Sequence, residues 1–235
     1  MRLVLASKSP ARRQTLENAG ITPIIRISNV DEDAALEALP DGRAFSGGST
    51  TPADEVTVLA HAKCGSIVDL VCAANPDITA DLPTDEELFI VGCDSMLEIN
   101  GTMVGKPRQP DIARERIAAM RNTEAILWTG HHGARVSRAD EHGRRTLIDE
   151  VSASAATTVR FGDISDAEIE AYVASGEPLK VAGAFTIDAL GGPFVTGIDG
   201  DHHSVVGISL PLLRQMAIQL GIFWPDLWDH RRSNQ

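Results

Sequence analysis

The sequence predicts a mixed α/β fold, one domain with two lobes, on three observations. Short apolar runs alternate with capped helical segments, the pattern of strands linked through helices. Leu88–Cys93 (LFIVGC) is a continuous apolar run, as a buried central strand requires. Asn100-Gly101 separates Met96–Ile99 from Thr102–Val104, and Asn-Gly favours the hairpin turn with positive φ at both central residues, so antiparallel pairing is mixed in.

In chain order, Arg2–Ala6 reads as the first strand. Ser9-Pro10 reads as an N-cap with proline at the first helical position, opening a helix that stops at Gly20. Thr22–Ile27 is apolar and β-branched, a second strand. Pro40–Thr51 is a Gly/Ser/Pro-rich stretch expected to be a mobile loop. Thr51-Pro52 repeats the cap-plus-proline signal, and the helix that follows places Val56, Leu59, Ala60, Cys64, Ile67 and Val71 on one face. The polar segment 73–87 with two prolines is a further loop. Beyond the hairpin, Asp111–Arg121 is helical, and Glu124–Val136 and Thr146–Phe161 are long strands. A capping box, Ser165 to Glu168, opens a helix to about Ser175. Phe194–Ile198 is a short strand and Ser209–Leu220 a final helix, followed by a frayed HRRSNQ end.

With 43% hydrophobic and 23% charged residues, the 235-residue chain has the balance of a globular protein and enough length for a sizeable core. No stretch is apolar over the 18 or so residues that a membrane span needs, and the N-terminal apolar run is too short for a secretory signal, so no membrane partner and a cytoplasmic location are expected. A net charge of −12 repels a nucleic acid polymer but leaves room for a small polyanion where a few cations converge. Cys64, Cys72 and Cys93 have no paired metal spacing and suit a reduced compartment.

Several segments carry residues suited to chemistry. Ser7, Ser9, Arg12 and Arg13 lie on a strand-to-helix turn, where free N–H groups and guanidinium groups attract phosphate; the plain alternative is a capped surface helix with solvated arginines. Asp31 and Glu32, on a loop, are either solvated charges or hard oxygen ligands for Mg²⁺ or Mn²⁺. Asp94 falls at the end of the LFIVGC strand, where open α/β sheets place their crevices, and is either a base or metal ligand or the cap of a turn. Gly105-Lys106-Pro107 closes the hairpin and returns a cation toward Asp94; it is not a P-loop, because proline replaces Ser/Thr and no helix opens there. His131-His132 and His202-His203 are read as strand neighbours pointing to opposite faces, without a third soft ligand at suitable spacing, so zinc is not expected. Together with Lys63, the set suits a metal-bound polyphosphate.

The motifs ASKSPARR, VDE at 30–32, AHAKC at 60–64, GCDS at 92–95 and GKP at 105–107, followed by GEPLKVAGAF at 176–185 and GDHHSVVGISLPLLR at 200–214, resemble in order and spacing the Maf family, septum-formation-like nucleoside triphosphate pyrophosphatases. The resemblance covers about residues 2–222, so a single domain over 1–222 and a tail over 223–235 are expected. It implies an elongated, twisted mixed sheet flanked by helices, with a cleft between two lobes, similar to the inosine-triphosphate pyrophosphatase fold. It also implies hydrolysis of a nucleoside triphosphate to monophosphate and pyrophosphate with a divalent cation, clearance of noncanonical nucleotides, and a homodimer. By position, Asp94 matches the proton acceptor, Glu32 the acidic metal ligand, Arg12 the substrate-contacting arginine, and Lys63 and Lys106 the phosphate-facing lysines. Ser7 and Arg13 fall in the same substrate-binding segment, and Ser95 stands where many members carry threonine that influences base choice.

The chain departs from the family's pattern at several positions. Ala11 replaces one arginine, Asn122 replaces a usual glycine, and Lys180-Val181 replaces a frequent Asp-Lys pair. Asp188 stands where dTTP/UTP-type members often carry glutamine; a carboxylate only accepts hydrogen bonds, whereas an amide also donates. A nucleotide-binding regulator of cell division without turnover is the competing reading. The presence of both Glu32 and Asp94 favours the enzyme.

Overall fold

The structure, a computed structural model, describes residues 1–232. β1 (Arg2–Leu5) leads into α1 (Pro10–Asn18), whose N-cap Ser9 accepts from the Arg12 amide. β2 is only Ile24–Ile25, shorter than the expected Thr22–Ile27. Pro23 has no N–H to give the ladder, and the Thr22 amide donates to Asp229 Oδ2 at 2.9 Å instead.

The DED sequence that reads as loop is a helix, α2 (Glu32–Glu37), with Asp31 as N-cap accepting from the Ala34 amide at 3.0 Å. α3 (Pro52–Cys72) opens with a full Thr51–Asp54 capping box, and its expected apolar face is buried throughout. The two loops flanking α3 are tied down. Buried Glu55 takes a two-pronged hydrogen bond from Arg43 (2.6 and 2.9 Å) and one from the Ala44 amide, which anchors 40–51. The 73–87 segment contains α4 (Pro76–Thr79), and buried Arg145 gathers the carbonyls of Pro83, Glu86 and Ser137 beneath it.

β3 (Leu88–Ile99) is one twelve-residue strand where two shorter ones are expected. It turns at Asn100-Gly101, both at positive φ, into β4 (Thr102–Val104). α5 (Pro110–Met120), β5 (Glu124–Val136), β6 (Leu147–Phe161) and α6 (Asp166–Ala174) follow as expected. Short 3₁₀ turns lead to β7 (Val195–Asp199). His202 and His203 lie on a short helix, α7 (His202–Val206), and not on a strand, because Asp201 caps the amide of His203. α8 (Leu210–Gln219) and a last turn of helix, α9 (Asp229–Arg232), end the described chain. The frayed end expected over HRRSNQ is helical as far as Arg232 and otherwise lies outside the described residues.

The seven strands form one open mixed sheet in the order β2-β1-β3-β5-β6-β7, with β4 paired to β3. β1 runs parallel to β2 and β3, and every other pair is antiparallel. Alternation along β3 divides the core. Leu88 and Ile90 pack with Cys64 and Ile67 of α3 on one face. Phe89, Val91 and Cys93 pack with Leu16 of α1 and Leu213 of α8 on the other. Fully buried Leu227 joins this second cluster, so the chain beyond residue 222 docks onto the core.

α3 touches the sheet through two glycines. A Cβ on Gly92 would meet the Ala60 carbonyl oxygen at 2.4 Å, and one on Gly130 would meet the Val56 carbonyl oxygen at 2.1 Å. In the β3–β5 ladder, Gly92 faces His132 and Asp94 faces Gly130. The two glycines thus mark one diagonal of a four-residue square beneath α3, and Asp94 and His132 occupy the other. The helix lies between these two side chains.

Candidate functional site

β1 pairs with β3 only as far as Leu5 and Val91, and the Ala6 amide makes a last bond to the Val91 carbonyl at 2.8 Å. β3 continues beyond that point while the chain after β1 turns away into α1. The crevice so formed is a cavity of about 660 Å³, a size suited to a small-molecule ligand. Asp94 lies on its floor, but in the middle of β3 and not at a strand end, because β5 carries the ladder past it. The crevice is therefore at the end of β1.

Lys63 projects from α3 into this crevice. Its Nζ lies 2.5 Å from Asp94 Oδ1 and 2.7 Å from Glu32 Oε1, so one ammonium bridges two carboxylates. Asp31 and Glu32 have separate tasks: Asp31 caps α2, and Glu32, the first residue of that helix, faces Lys63. The environment pushes the two bridged carboxyls apart. Burial raises the pKa of Asp94, and Lys63 and Arg12 oppose only part of that rise. For Glu32 burial also acts upward, but the hydrogen bond and charge of Lys63, with Lys106 and Arg108, outweigh it and hold the carboxyl below its usual range. Lys106 lines the same cavity, and partial burial and the repulsion of Arg12 keep its ammonium below the ordinary lysine range.

Arg12 braces the site. Its Nε donates to the Gly207 carbonyl at 2.7 Å, Nη1 to the Cys93 carbonyl at 2.8 Å and Ser7 Oγ at 3.2 Å, and Nη2 to Ser95 Oγ at 3.2 Å. Four of its five N–H groups are directed at the protein. Thr129 donates to the Ser204 carbonyl (2.9 Å) and lies 3.0 Å from Ser95 Oγ, so the Ser95 hydroxyl donates inward to Thr129. Ser7 and Ser95 both line the cavity. Arg13 does not. Its side chain is exposed and pairs with Glu17 at 2.7 Å, because consecutive helical residues point about 100° apart and only Arg12 faces the crevice.

Asp188 is an exposed lining residue on the 186–191 segment. Glu177 holds that segment, accepting from Thr186 Oγ1 (2.6 Å), Tyr172 Oη (3.0 Å) and the amides of Gly191 and Leu190 (3.2 and 3.3 Å). Burial acts to raise its pKa, but these bonds outweigh it and keep Glu177 low. Lys8 and Lys180 also line the cavity; the sequence marks Lys180 only as a departure from the family's pattern and gives Lys8 no role. Lys8 sits inside the SKSP turn, between the N-cap Ser9 and Ser7, whose Oγ accepts from the Ser9 amide. Lys180 comes from a distant 3₁₀ turn that no local pattern links to the site.

Basic side chains from four separate stretches (Lys8 and Arg12, Lys63, Lys106, Lys180) converge on one crevice of a chain whose net charge is −12. This is a mixed α/β protein with a recess suited to a compact anion, floored by a paired carboxylate. The family model described as Maf-like protein matches residues 2–220, and the chain belongs to that family. It is 46% identical over 228 residues to a nucleoside triphosphate pyrophosphatase of Nocardia farcinica, with 97% of each chain covered. Proteins of the same name from Rhodococcus erythropolis (47% over 226 residues, 96% of each chain) and Streptomyces coelicolor (44% over 227 residues, 97% of this chain and 94% of the relative) are similarly close.

Proposed function

We propose that this chain hydrolyses a nucleoside triphosphate to the monophosphate and pyrophosphate in the cavity beyond β1. The observation that carries the reading is the Glu32–Lys63–Asp94 bridge on the floor of a cation-lined recess. The names of the relatives support the same chemistry.

Two hard carboxylate oxygens already gathered around one positive charge form a donor set that fits Mg²⁺ or Mn²⁺, so Glu32 and Asp94 would hold the ion. When bound, the ion offsets charge on the phosphate oxygens. The protein's own groups divide the remaining tasks. Asp94, made more basic by burial, takes a proton from the attacking water at its carboxylate. Glu32, held low, stays ionised throughout. Lys63 and Lys106 receive the phosphate oxygens, with Lys8 and Lys180 further along the cavity wall. Arg12 adds positive charge and fixes Ser7 and Ser95 in place. Water adds to phosphorus, the bridge between the α and β phosphates breaks, and pyrophosphate leaves. Asp188 is placed to accept from a base or sugar, and the Ser95 hydroxyl, turned inward, acts through shape.

In this reading residues 1–222 are the catalytic unit, with the following segment bracing it through Leu227. The free thiols of Cys64, Cys72 and Cys93 support a cytoplasmic location. A homodimer belongs to the same proposal, as does the clearance of noncanonical nucleotides. Among the described residues no helix is long and apolar enough to cross a membrane. The test is a panel of canonical and modified triphosphates with Mg²⁺ or Mn²⁺. Pyrophosphate should form, chelation should stop it, and Asp94→Asn should abolish it. Orthophosphate as the product, or undiminished turnover in that variant, refutes the reading.

A further inference from the structure

On the flank of α3 away from Asp94, the helix and the sheet bring together three side chains that the proposed reaction does not use. His61 of α3, His132 of β5 and Glu150 of β6 each present one ligand atom, and these atoms all lie within 4.8 Å of one another. His132 is buried, while His61 and Glu150 reach solvent. We propose that His61, His132 and Glu150 form a binding site for a transition-metal dication of the Zn²⁺ class, separate from the Glu32–Asp94 pair.

The geometry favours an ion of that size. His132 Nε2 lies 3.3 Å from Glu150 Oε2. Two ligands about 2.0–2.1 Å from one tetrahedral Zn²⁺ are separated by about 3.3 Å. The ring of His61 stands edge-on to that of His132, with centroids 4.5 Å apart and planes at 78°. Because His61 and Glu150 are exposed, their side chains are free to rotate and close the remaining distance. Two imidazoles and one carboxylate leave the fourth tetrahedral position to water.

The chemistry favours the same class of ion. His132 Nδ1 lies 2.6 Å from Ser152 Oγ. When Nδ1–H donates to that hydroxyl, Nε2 turns a lone pair toward the carboxylate, and a cation takes the place that a proton fills in the other tautomer. Burial, aided by the neighbouring His61, favours the neutral ring that ligates metals. Imidazole ligands select Zn²⁺, Ni²⁺ or Co²⁺ over Mg²⁺, which takes oxygen. Sequence spacing hid this set because each ligand comes from a different element. The third ligand absent from the local histidine pairs is supplied by α3.

The experiment titrates Zn²⁺ alone into full-length protein carrying Glu32→Gln and Asp94→Asn, so that the other carboxylates do not compete. One Zn²⁺ per chain should bind, the melting temperature should rise, and Co²⁺ should give tetrahedral visible bands. Adding His61→Ala or Glu150→Gln, both at exposed positions, should weaken Zn²⁺ at least tenfold and remove the thermal shift while leaving the metal-free melt in place. Absence of Zn²⁺ binding, or binding that either substitution leaves unchanged, overturns the proposal. The background variant carries none of the proposed turnover, so this outcome is independent of the nucleotide reaction.

Discussion

Gly92 on β3 and Gly130 on β5 stand diagonally in adjacent strands and admit the backbone of α3 against the sheet. That contact sets the height of the helix, and hence the reach of Lys63 to Asp94 on one flank and of His61 toward His132 on the other. Gly92→Ala would place a methyl group 2.4 Å from a backbone carbonyl that cannot rotate away. It should destabilise the fold by roughly 1–3 kcal/mol, read from the urea midpoint. Any folded fraction should lose catalytic efficiency, because Lys63 is lifted.

Asp94→Asn removes the proposed base while keeping size and burial. The turnover number should fall by about 10²–10⁴-fold with an unchanged circular dichroism spectrum. In the native protein, kcat/KM should rise with pH as Asp94 loses its proton. In the metal-free protein burial raises that pKa, so the Asp94 carboxyl carbon shift should titrate above the ordinary aspartate value of 3.8.

Lys63→Met leaves Glu32 and Asp94 facing one another without the intervening charge. Lys63 lowers the pKa of both carboxyls, so its loss should move both titrations to higher pH, followed by carboxyl carbon chemical shifts.

His131 gives the fold an acid sensitivity of its own. It is fully buried, its Nε2 accepts from the Ser209 amide that opens α8 (2.8 Å), and burial pushes its pKa down to about 4 from 6.5. Between those values the unfolded chain takes up a proton that the folded chain refuses. Stability should therefore be lost as pH falls from about 6.5 to 4, by on the order of 3 kcal/mol. His131→Gln should flatten this slope in urea midpoints measured across that range.

Much of the framework was legible because it follows local rules. The buried face of α3, the Asn-Gly turn and the two long strands each follow from periodicity or turn chemistry within a few residues. The short helices α2 and α7 leave little trace in the sequence, because five or six residues carry no periodic apolar face. Only their caps, Asp31 and Asp201, announced them. β3 looked broken because polar Asp94 and Ser95 interrupt an apolar run, yet both sit on a ladder that β5 sustains. Within the site, Glu32, Lys63, Asp94 and Lys106 do converge. Arg13 does not, for want of the right helical phase, and Lys8 and Lys180 join only through the tertiary fold.

The bonds of Arg12 tie residues near the start of the chain to Gly207. A polypeptide still emerging from the ribosome cannot close that link until almost all of it has been made. The bonds of Arg12 to Ser7, Cys93 and Ser95 can close earlier, but its Nε must wait for the Gly207 carbonyl. Premature termination before Gly207 would thus yield a product without a finished recess, and unable to act on nucleotides while incomplete.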